Sequence, residues 1–228
     1  MSAARGTILT AIRAALAHRR GGLAEPDEAG IAAEAELLRA RVVSTRPDRL
    51  EDGAQSAFLR RLVSPGVGAT AESVAQLADF PAAVRRYLTA QGLRPSVALQ
   101  PHPELRALDW SGIETHAQIS ADEPAAVGLA LGAIAETGTL VFHSSPASPT
   151  LFAFLPAHHI VAVEAARIWR WLEDYADAFA DGVQPRNVNL ITGASGTTDI
   201  EGALVRGAHG PGRLHVVLVG GAARDSNH

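Results

Sequence analysis

Small polar residues accompany two apolar runs of this chain, at 135–141 and at 191–218. The first run reads AETGTLV and the second reads ITGASGTTDIEGALVRGAHGPGRLHVVL. A packed core does not need so many glycines and hydroxyl groups. Backbone amides and hydroxyls that hold an oxygen ligand or a partner surface do need them. We therefore expect the two runs to converge and to form one site.

The segment 193–201 predicts a strand that runs into a tight turn and then into a helix. Thr198 and Glu201 have the spacing of a helix-capping box. An anion or carboxylate could rest on the free amides of this helix start, with Ser195 and Thr197 as additional donors. A helix that caps itself and binds nothing explains the same residues equally well.

Asp199 and Glu201 complete the candidate ligand-binding residues of this segment. They are two positions apart and so fall on different faces of a helix, which argues against a carboxylate pair that shares a proton. The segment lacks the Gly-Lys-Ser/Thr of a phosphate-binding P-loop and the G-x-G-x-x-G of a dinucleotide site.

Two further residues are candidates for proton handling. His209 lies in a turn with three glycines and a proline, which could aim the imidazole at a site or simply leave it exposed. Glu136 could act as a base or as a helix cap. Beside it, Gly138 permits a close backbone approach, and Thr137 and Thr139 could donate to an oxygen ligand.

Three other histidines are more simply explained without a catalytic or metal-binding role. His215 lies in an apolar run, which is typical of a core histidine. His158 and His159 are adjacent on a predicted strand and point to opposite faces, so they are not expected to bind one metal ion. No metal site is predicted.

Composition excludes several classes of protein. The 228 residues are 47% hydrophobic and carry a formal net charge of -4, without the basic stripe of a nucleic-acid binder. The absence of cysteine excludes disulfides and ordinary cysteine-ligated iron–sulfur clusters in this chain. No apolar run reaches the ~18 residues of a membrane span, and no secretory signal core is present. We expect a cytoplasmic protein.

The order of the elements predicts an α/β fold. Helices are predicted at 7–18, 31–41, 55–62, 80–91 and 167–179, and strands at 96–100, 139–142, 151–155, 159–163, 187–191 and 214–219. Several strands are continuous apolar runs, which suits a largely parallel sheet covered on both faces. We predict a helical N-terminal arm over residues 1–64 and one α/β domain over residues 65–228.

Taken together, the motifs resemble the lactate-utilisation protein C family (LutC or YkgG) of the LUD-domain superfamily. The matching segments are AETGTLV at 135–141, LP-x-x-H-I at 155–160, the run from the glycine at 193 to HGP at 209–211, and LHVVL at 214–218. The resemblance covers about the C-terminal half. This chain departs from the family around the serine, where Ala194 and Gly196 replace a proline and a basic residue.

The resemblance implies a three-layer, mostly parallel α/β fold like that of the NagB, RpiA and CoA-transferase group. It also implies a role in oxidising L-lactate to pyruvate together with two iron–sulfur partner proteins, while this chain carries no cofactor of its own. A small carboxylate would then bind in the loops that follow the strands. The alternatives are an independent enzyme acting on a phosphosugar or CoA ester, with Glu136 as nucleophile, and a scaffold or regulatory protein.

Overall fold

The computed structural model describes residues 2–19, 28–41, 53–180, 182, 184–198 and 204–221. The chain forms two compact units, residues 1–45 and residues 46–228. The first unit contains the helices α1 (Ser2–Arg19) and α2 (Glu28–Arg41), which confirms the two helices predicted there. None of the described helices combines the length and the apolar character needed to cross a membrane.

The second unit alternates strands with short helices. In chain order its elements are α3 (Ala54–Leu62), β1 (Thr70–Val74), α4 (Phe80–Ala90), β2 (Ser96–Leu99), α5 (Pro103–Arg106), β3 (Glu114–His116), β4 (Ala125–Leu129), β5 (Gly132–Ile134), β6 (Thr139–His143), β7 (His158–Glu164), β8 (Ile168–Trp169), α6 (Leu172–Ala178), β9 (Val188–Ile191), β10 (Gly196–Thr198), β11 (Leu204–Arg206) and β12 (Arg213–Val219).

A six-stranded, fully parallel sheet forms the centre of this unit, in the order β1-β12-β7-β4-β2-β3. Its inner strands consist largely of Val, Ile, Leu and Ala, and most of their residues are buried. Such continuous apolar runs suit strands that are covered on both faces. The predicted α/β class with a mostly parallel sheet is therefore confirmed.

Each face of the parallel sheet packs against a different layer. On one face, α4 places Phe80, Val84 and Leu88 against apolar residues of the central strands. On the other face, α3 and a second sheet of the order β8-β5-β6-β9 share a core with β7 and β12. The resulting three layers match the predicted architecture, but one outer layer contains a mixed sheet as well as a helix.

The helix α3 belongs to the second unit. Its residues Phe58 and Leu62 are fully buried in the core that α3 shares with the two sheets. The division after residue 45 thus differs from the sequence-based boundary after residue 64. Phe58 and Leu62 are four positions apart and so lie on one face of α3, and this amphipathic pattern, much weaker in α1 and α2, is the sequence signal of its packing.

Two predicted elements are wrong in type. The run 151–155 is a turn of 3₁₀ helix at Thr150–Ala153, because Pro149 precedes it and accepts the first turn's hydrogen bond from the Phe152 amide. Of the predicted helix 167–179 only Leu172–Ala178 is α-helical. Its first residues form β8, because Ile168 and Trp169 pair with β5.

The structure shows strands on both sides of the helix start predicted near Thr198, and residues 199–203 lie outside the described residues. Gly196–Thr198 is the strand β10, and it pairs antiparallel with β11 in a separate two-stranded sheet. The small and β-branched residues of this segment are compatible with a strand as well as with a helix cap. Asp199 and Glu201, and with them the predicted capping partner, lie outside the described residues.

Candidate functional site

A cavity of about 750 Å³ lies at the amino ends of the parallel strands. Its walls include Thr70 at the start of β1, His158 at the start of β7 and Arg213 at the start of β12. The segments 121–123 and 154–157, which lead into β4 and β7, close other sides. The sequence placed the ligand in loops that follow the strands, whereas this cavity is at the opposite edge.

Two arginines bring positive charge to the cavity. Arg213 is the first residue of β12, where the sheet register sets it beside His158. Arg206 ends β11, and its guanidinium lies over Gly68, where an added Cβ would come 3.5 Å from Nη1. Among the described residues no ion pair joins either guanidinium to a carboxylate. Both are therefore available to an anionic ligand.

A tyrosine–histidine pair faces the same cavity. The hydroxyl of Tyr87 on α4 lies 2.9 Å from Nδ1 of His158. Burial lowers the pKa of His158, and the nearby charge of Arg213 lowers it further. Burial also raises the pKa of Tyr87, an effect that Arg213 partly offsets. At neutral pH the pair is thus an uncharged imidazole and a protonated phenol, which together offer hydrogen bonds beside a positive charge.

Two carboxylates, Glu123 and Asp122, form the acidic side of the cavity. Glu123 is buried, and its Oε2 lies 3.1 Å from Nε2 of His116 and 3.4 Å from the hydroxyl of Ser120. Asp122 is exposed and lines the cavity without such contacts among the described residues. The site as a whole therefore combines two guanidinium groups with one exposed carboxylate, Asp122, and one buried carboxylate, Glu123.

The predicted threonines form a chain of hydroxyls outside this cavity. Thr139 Oγ1 lies 2.7 Å from Thr137 Oγ1 and 2.6 Å from Thr192 Oγ1. This contact joins the 136–139 turn to the turn that contains Ser195, because β6 and β9 pair next to it. The two predicted segments therefore meet at Thr139 and Thr192, although residues 136–139 do not line the 750 Å³ cavity.

Glu136 and Gly138 have structural contacts. A carboxylate oxygen of Glu136 accepts a hydrogen bond from the Leu172 amide (3.3 Å), at the first turn of α6. Gly138 has φ +71° and packs closely on the backbone at Leu62. The structure thus shows Glu136 at a helix start, one of the two roles that its position allowed.

Ser195 lies immediately behind the cavity wall. Its amide donates to the Pro211 carbonyl (2.8 Å), and its own carbonyl accepts from the Gly207 amide (3.0 Å). A Cβ added at Gly210, a cavity residue, would lie 3.4 Å from the Cβ of Ser195. His209 is exposed between two residues that line the cavity. The side chain of Thr197 lies outside the described part of the chain.

Sequence reasoning did not single out Thr70, Tyr87, Arg206 or Arg213. The sequence does not mark these four residues as a set, because they come from four separate elements. His158 was considered only as half of a metal pair. Within the described part of the chain, no three His, Asp or Glu side chains converge as metal ligands would.

A smaller cavity of about 190 Å³ lies at the carboxyl edge of the sheet, around Gln100, Leu129 and Glu164. β2 and β4 end here, and the chain order reverses between them, where open α/β sheets commonly bind ligands. Beside it, the buried side chain of His159 reaches a void of about 10 Å³. Neither ring nitrogen of His159 has a hydrogen-bond partner among the described residues.

Comparison with known proteins agrees with this architecture. The LUD domain family matches residues 92–219, which is more than half of the chain. A crystal structure of a DUF162 family protein from Deinococcus radiodurans has the same fold, with a TM-score of 0.53 and 21% sequence identity. The superposition covers 73% of this chain and 96% of that chain.

Sequence relatives extend the match. A lactate utilization protein C of Deinococcus radiodurans is 30% identical over 189 residues, which cover 82% of this chain and 83% of that protein. A lactate utilization protein C of Bacillus subtilis is 34% identical over 118 residues, about half of each chain, at 49%. The chain therefore belongs to the lactate utilization protein C family of LUD domain proteins.

Proposed function

We propose that this chain acts in bacterial lactate utilization, as a subunit that binds a small carboxylate and works with two iron–sulfur partner proteins in the cytoplasm. The observation that carries the proposal is the relative from Deinococcus radiodurans, which bears that name and aligns over 82% of the chain. The two arginines of the 750 Å³ cavity, which form no ion pair with a described carboxylate, supply a physical basis for carboxylate binding.

The geometry suggests how lactate would be held. Arg213 would bind the carboxylate through charge-assisted hydrogen bonds. Tyr87 and His158 would contact the oxygen at carbon 2, since their paired polar atoms lie on the same wall. An uncharged His158 accepts a hydrogen bond from a hydroxyl, and the Tyr87 phenol donates one to a keto oxygen. The same site would then accept both lactate and pyruvate.

Electron transfer is assigned to the partners. Oxidation of lactate to pyruvate releases two electrons, and this chain has no cysteine with which to ligate an ordinary iron–sulfur cluster. The proposed role of the chain is therefore to bind and orient the substrate. If the purified chain alone oxidised L-lactate with an added electron acceptor, this assignment would be wrong.

Calorimetric titration of the full chain with L-lactate, pyruvate and propionate tests the binding site. We expect pyruvate and L-lactate to bind more tightly than propionate, which lacks the oxygen at carbon 2. Arg213→Gln should weaken binding roughly tenfold to a hundredfold, since hydrogen bonds to charged groups contribute about 1.5–3 kcal/mol. Arg186→Gln is the matched control, because Arg186 is exposed and does not line the cavity. Equal loss of affinity in both variants would contradict the site.

Copurification tests the partners. The tagged full chain, isolated from bacteria grown on L-lactate, should bring down proteins that contain iron and acid-labile sulfide. Recovery of the chain free of iron–sulfur proteins, from cells that are oxidising lactate, would contradict the proposed assembly.

A further inference from the structure

A hydroxyl, an imidazole and a carboxylate are connected in series at the amino edge of the parallel sheet. Thr70 Oγ1 lies 2.8 Å from Nδ1 of His215, and Nε2 of His215 lies 3.2 Å from Oε1 of Glu72. The register explains the arrangement. Thr70 pairs directly with His215, and Glu72 projects from the same face of β1 two residues later.

The contacts define which atoms carry protons. A carboxylate accepts only, so Nε2 of His215 donates to Glu72 and Nδ1 is left to accept the hydroxyl proton of Thr70. Burial lowers the pKa of His215, and the hydrogen bond and charge of Glu72 oppose this shift. The imidazole is therefore neutral at neutral pH, with its basic nitrogen directed at Thr70.

Neighbouring side chains hold the three residues in place, and Thr70 lies at the end of the series that faces the cavity. His215 is 7% exposed and stacks on the Tyr87 ring, with ring centroids 4.4 Å apart and planes inclined at 23°. Arg86 binds the other oxygen of Glu72 at 2.7 Å and so fixes that carboxylate. Thr70 is exposed and lines the 750 Å³ cavity. The hydroxyl end of the series thus reaches the cavity, whereas Glu72 does not line it.

We propose that Thr70, His215 and Glu72 act as nucleophile, general base and positioning carboxylate, and that the cavity accepts an ester or thioester that carries a negative charge. A hydroxyl becomes a nucleophile when a base within hydrogen-bond distance takes its proton and a third group orients that base. The guanidinium groups of Arg206 and Arg213 line the same cavity and would bind the negative charge. This activity goes beyond the proposed function and does not depend on it.

The reaction is a hydrolysis in two steps. Thr70 Oγ1 attacks the carbonyl carbon, its proton passes to Nδ1 of His215, and the bond to the leaving group breaks. The leaving thiolate or alkoxide takes that proton. Water then attacks the acyl ester on Thr70, with His215 again as base, and the carboxylic acid leaves as Thr70 regains its proton. One water is consumed and no electrons are exchanged.

Chromogenic esters test the proposal on the full chain. Nitrophenolate release is followed with 4-nitrophenyl acetate and with the anionic 4-nitrophenyl hemisuccinate, and the acyl adduct is located by peptide mass spectrometry. We expect a burst of about one nitrophenolate per chain and an adduct on the peptide that contains Thr70. The anionic ester should react at least about tenfold faster, and Arg206→Gln with Arg213→Gln should remove that preference.

Variants separate the chemistry from folding. Thr70→Val, which keeps the shape, should abolish the adduct, and Thr70→Ser should retain it. His215→Gln should slow the burst roughly a hundredfold or more, the usual contribution of general base catalysis. An adduct or a burst that persists in Thr70→Val would overturn the proposal. So would the absence of any adduct in the wild-type chain.

The pH profile tests Glu72 as a positioning residue. The charged and titratable groups that face His215 are Glu72 on β1 and Tyr87 and Arg86 on α4. Because Glu72 raises the pKa of His215, Glu72→Gln should move the acidic limb of the burst rate to lower pH and slow the burst roughly tenfold. A slower burst with an unmoved acidic limb would reduce Glu72 to a packing role and contradict this part of the proposal.

Discussion

The buried histidine of β7 should make the second unit sensitive to acid. His159 is 1% exposed, and neither ring nitrogen has a hydrogen-bond partner among the described residues. Burial lowers the pKa of His159 to about 4, against about 6.5 in an unfolded chain. Between these values the unfolded state binds the proton and the folded state does not. Stability therefore falls as pH drops from about 6.5 to about 4.

The size of the effect follows from the two pKa values. Each unit of pKa difference corresponds to 1.36 kcal/mol, and so the full difference is about 3 kcal/mol. Between pH 7 and pH 4.5 we expect the His159 contribution to the free energy of unfolding to fall by about 2–3 kcal/mol. Burial lowers the pKa of other histidines too, including His215, so the wild-type protein alone does not isolate this contribution.

Urea unfolding of wild type and His159→Leu at pH 7 and pH 4.5 isolates the contribution of His159 to the acid sensitivity. The intrinsic fluorescence of the tryptophans reports on the second unit, because all three lie within residues 46–228. His159→Leu removes no hydrogen bond to a described residue and should change the unfolding free energy at pH 7 by less than about 1.5 kcal/mol. When the pH falls from 7 to 4.5, the unfolding free energy of this variant should decrease by about 2–3 kcal/mol less than that of wild type. The exposed His209, changed to Gln, is the control and should keep the wild-type sensitivity. Equal acid sensitivity in wild type and His159→Leu would refute the reasoning.

Three further substitutions, the first with a matched control, test contacts around the predicted turns. Gly193→Ala should lower the unfolding free energy by about 2–4 kcal/mol, because φ is +82° and the new Cβ would clash with the backbone oxygen of Val67. Gly92→Ala shares a positive φ but has open space, so urea unfolding should show a loss of only about 1 kcal/mol; equal losses would contradict the clash. Thr139→Val interrupts the hydroxyl chain and should cost about 1 kcal/mol by the same measurement, and a stabilised variant would count against that chain. Glu136→Gln weakens the interaction at the start of α6 by about 0.5 kcal/mol and should speed hydrogen exchange of the Leu172 amide, whereas unchanged exchange would exclude the capping role.

The fold class was predictable because the buried strands of a parallel sheet appear in the sequence as continuous apolar runs. Runs such as Leu214–Val219 and His159–Val163 are apolar except for one histidine each, and such runs suit strands that are covered on both faces. The short elements were not predictable in this way. Ile168 and Trp169 form a strand only because β5 offers them a partner, and no local pattern indicates a pairing that distant.

The candidate site was harder to predict than the fold. The predicted turns do approach each other at Thr139 and Thr192, which local spacing alone did not guarantee. The cavity itself is built from single residues on separate elements, such as Tyr87 from α4 and Arg206 from β11. Each of these residues is ordinary in its own segment. Only the sheet order brings their charges and hydroxyls together.

Register links the stability of the sheet to the chemistry of its amino edge. In β1 and β12, Thr70 faces His215, and in β12 and β7, Arg213 faces His158. The three adjacent strands begin with polar residues, and buried apolar residues follow in β7 and β12. A slip of one residue in β1 would turn Thr70 and its hydroxyl to the opposite face. The apolar core that sets the register therefore also positions the hydroxyl, the imidazoles and the guanidiniums, and a core variant that shifts β1 should lose ligand binding before it loses the fold.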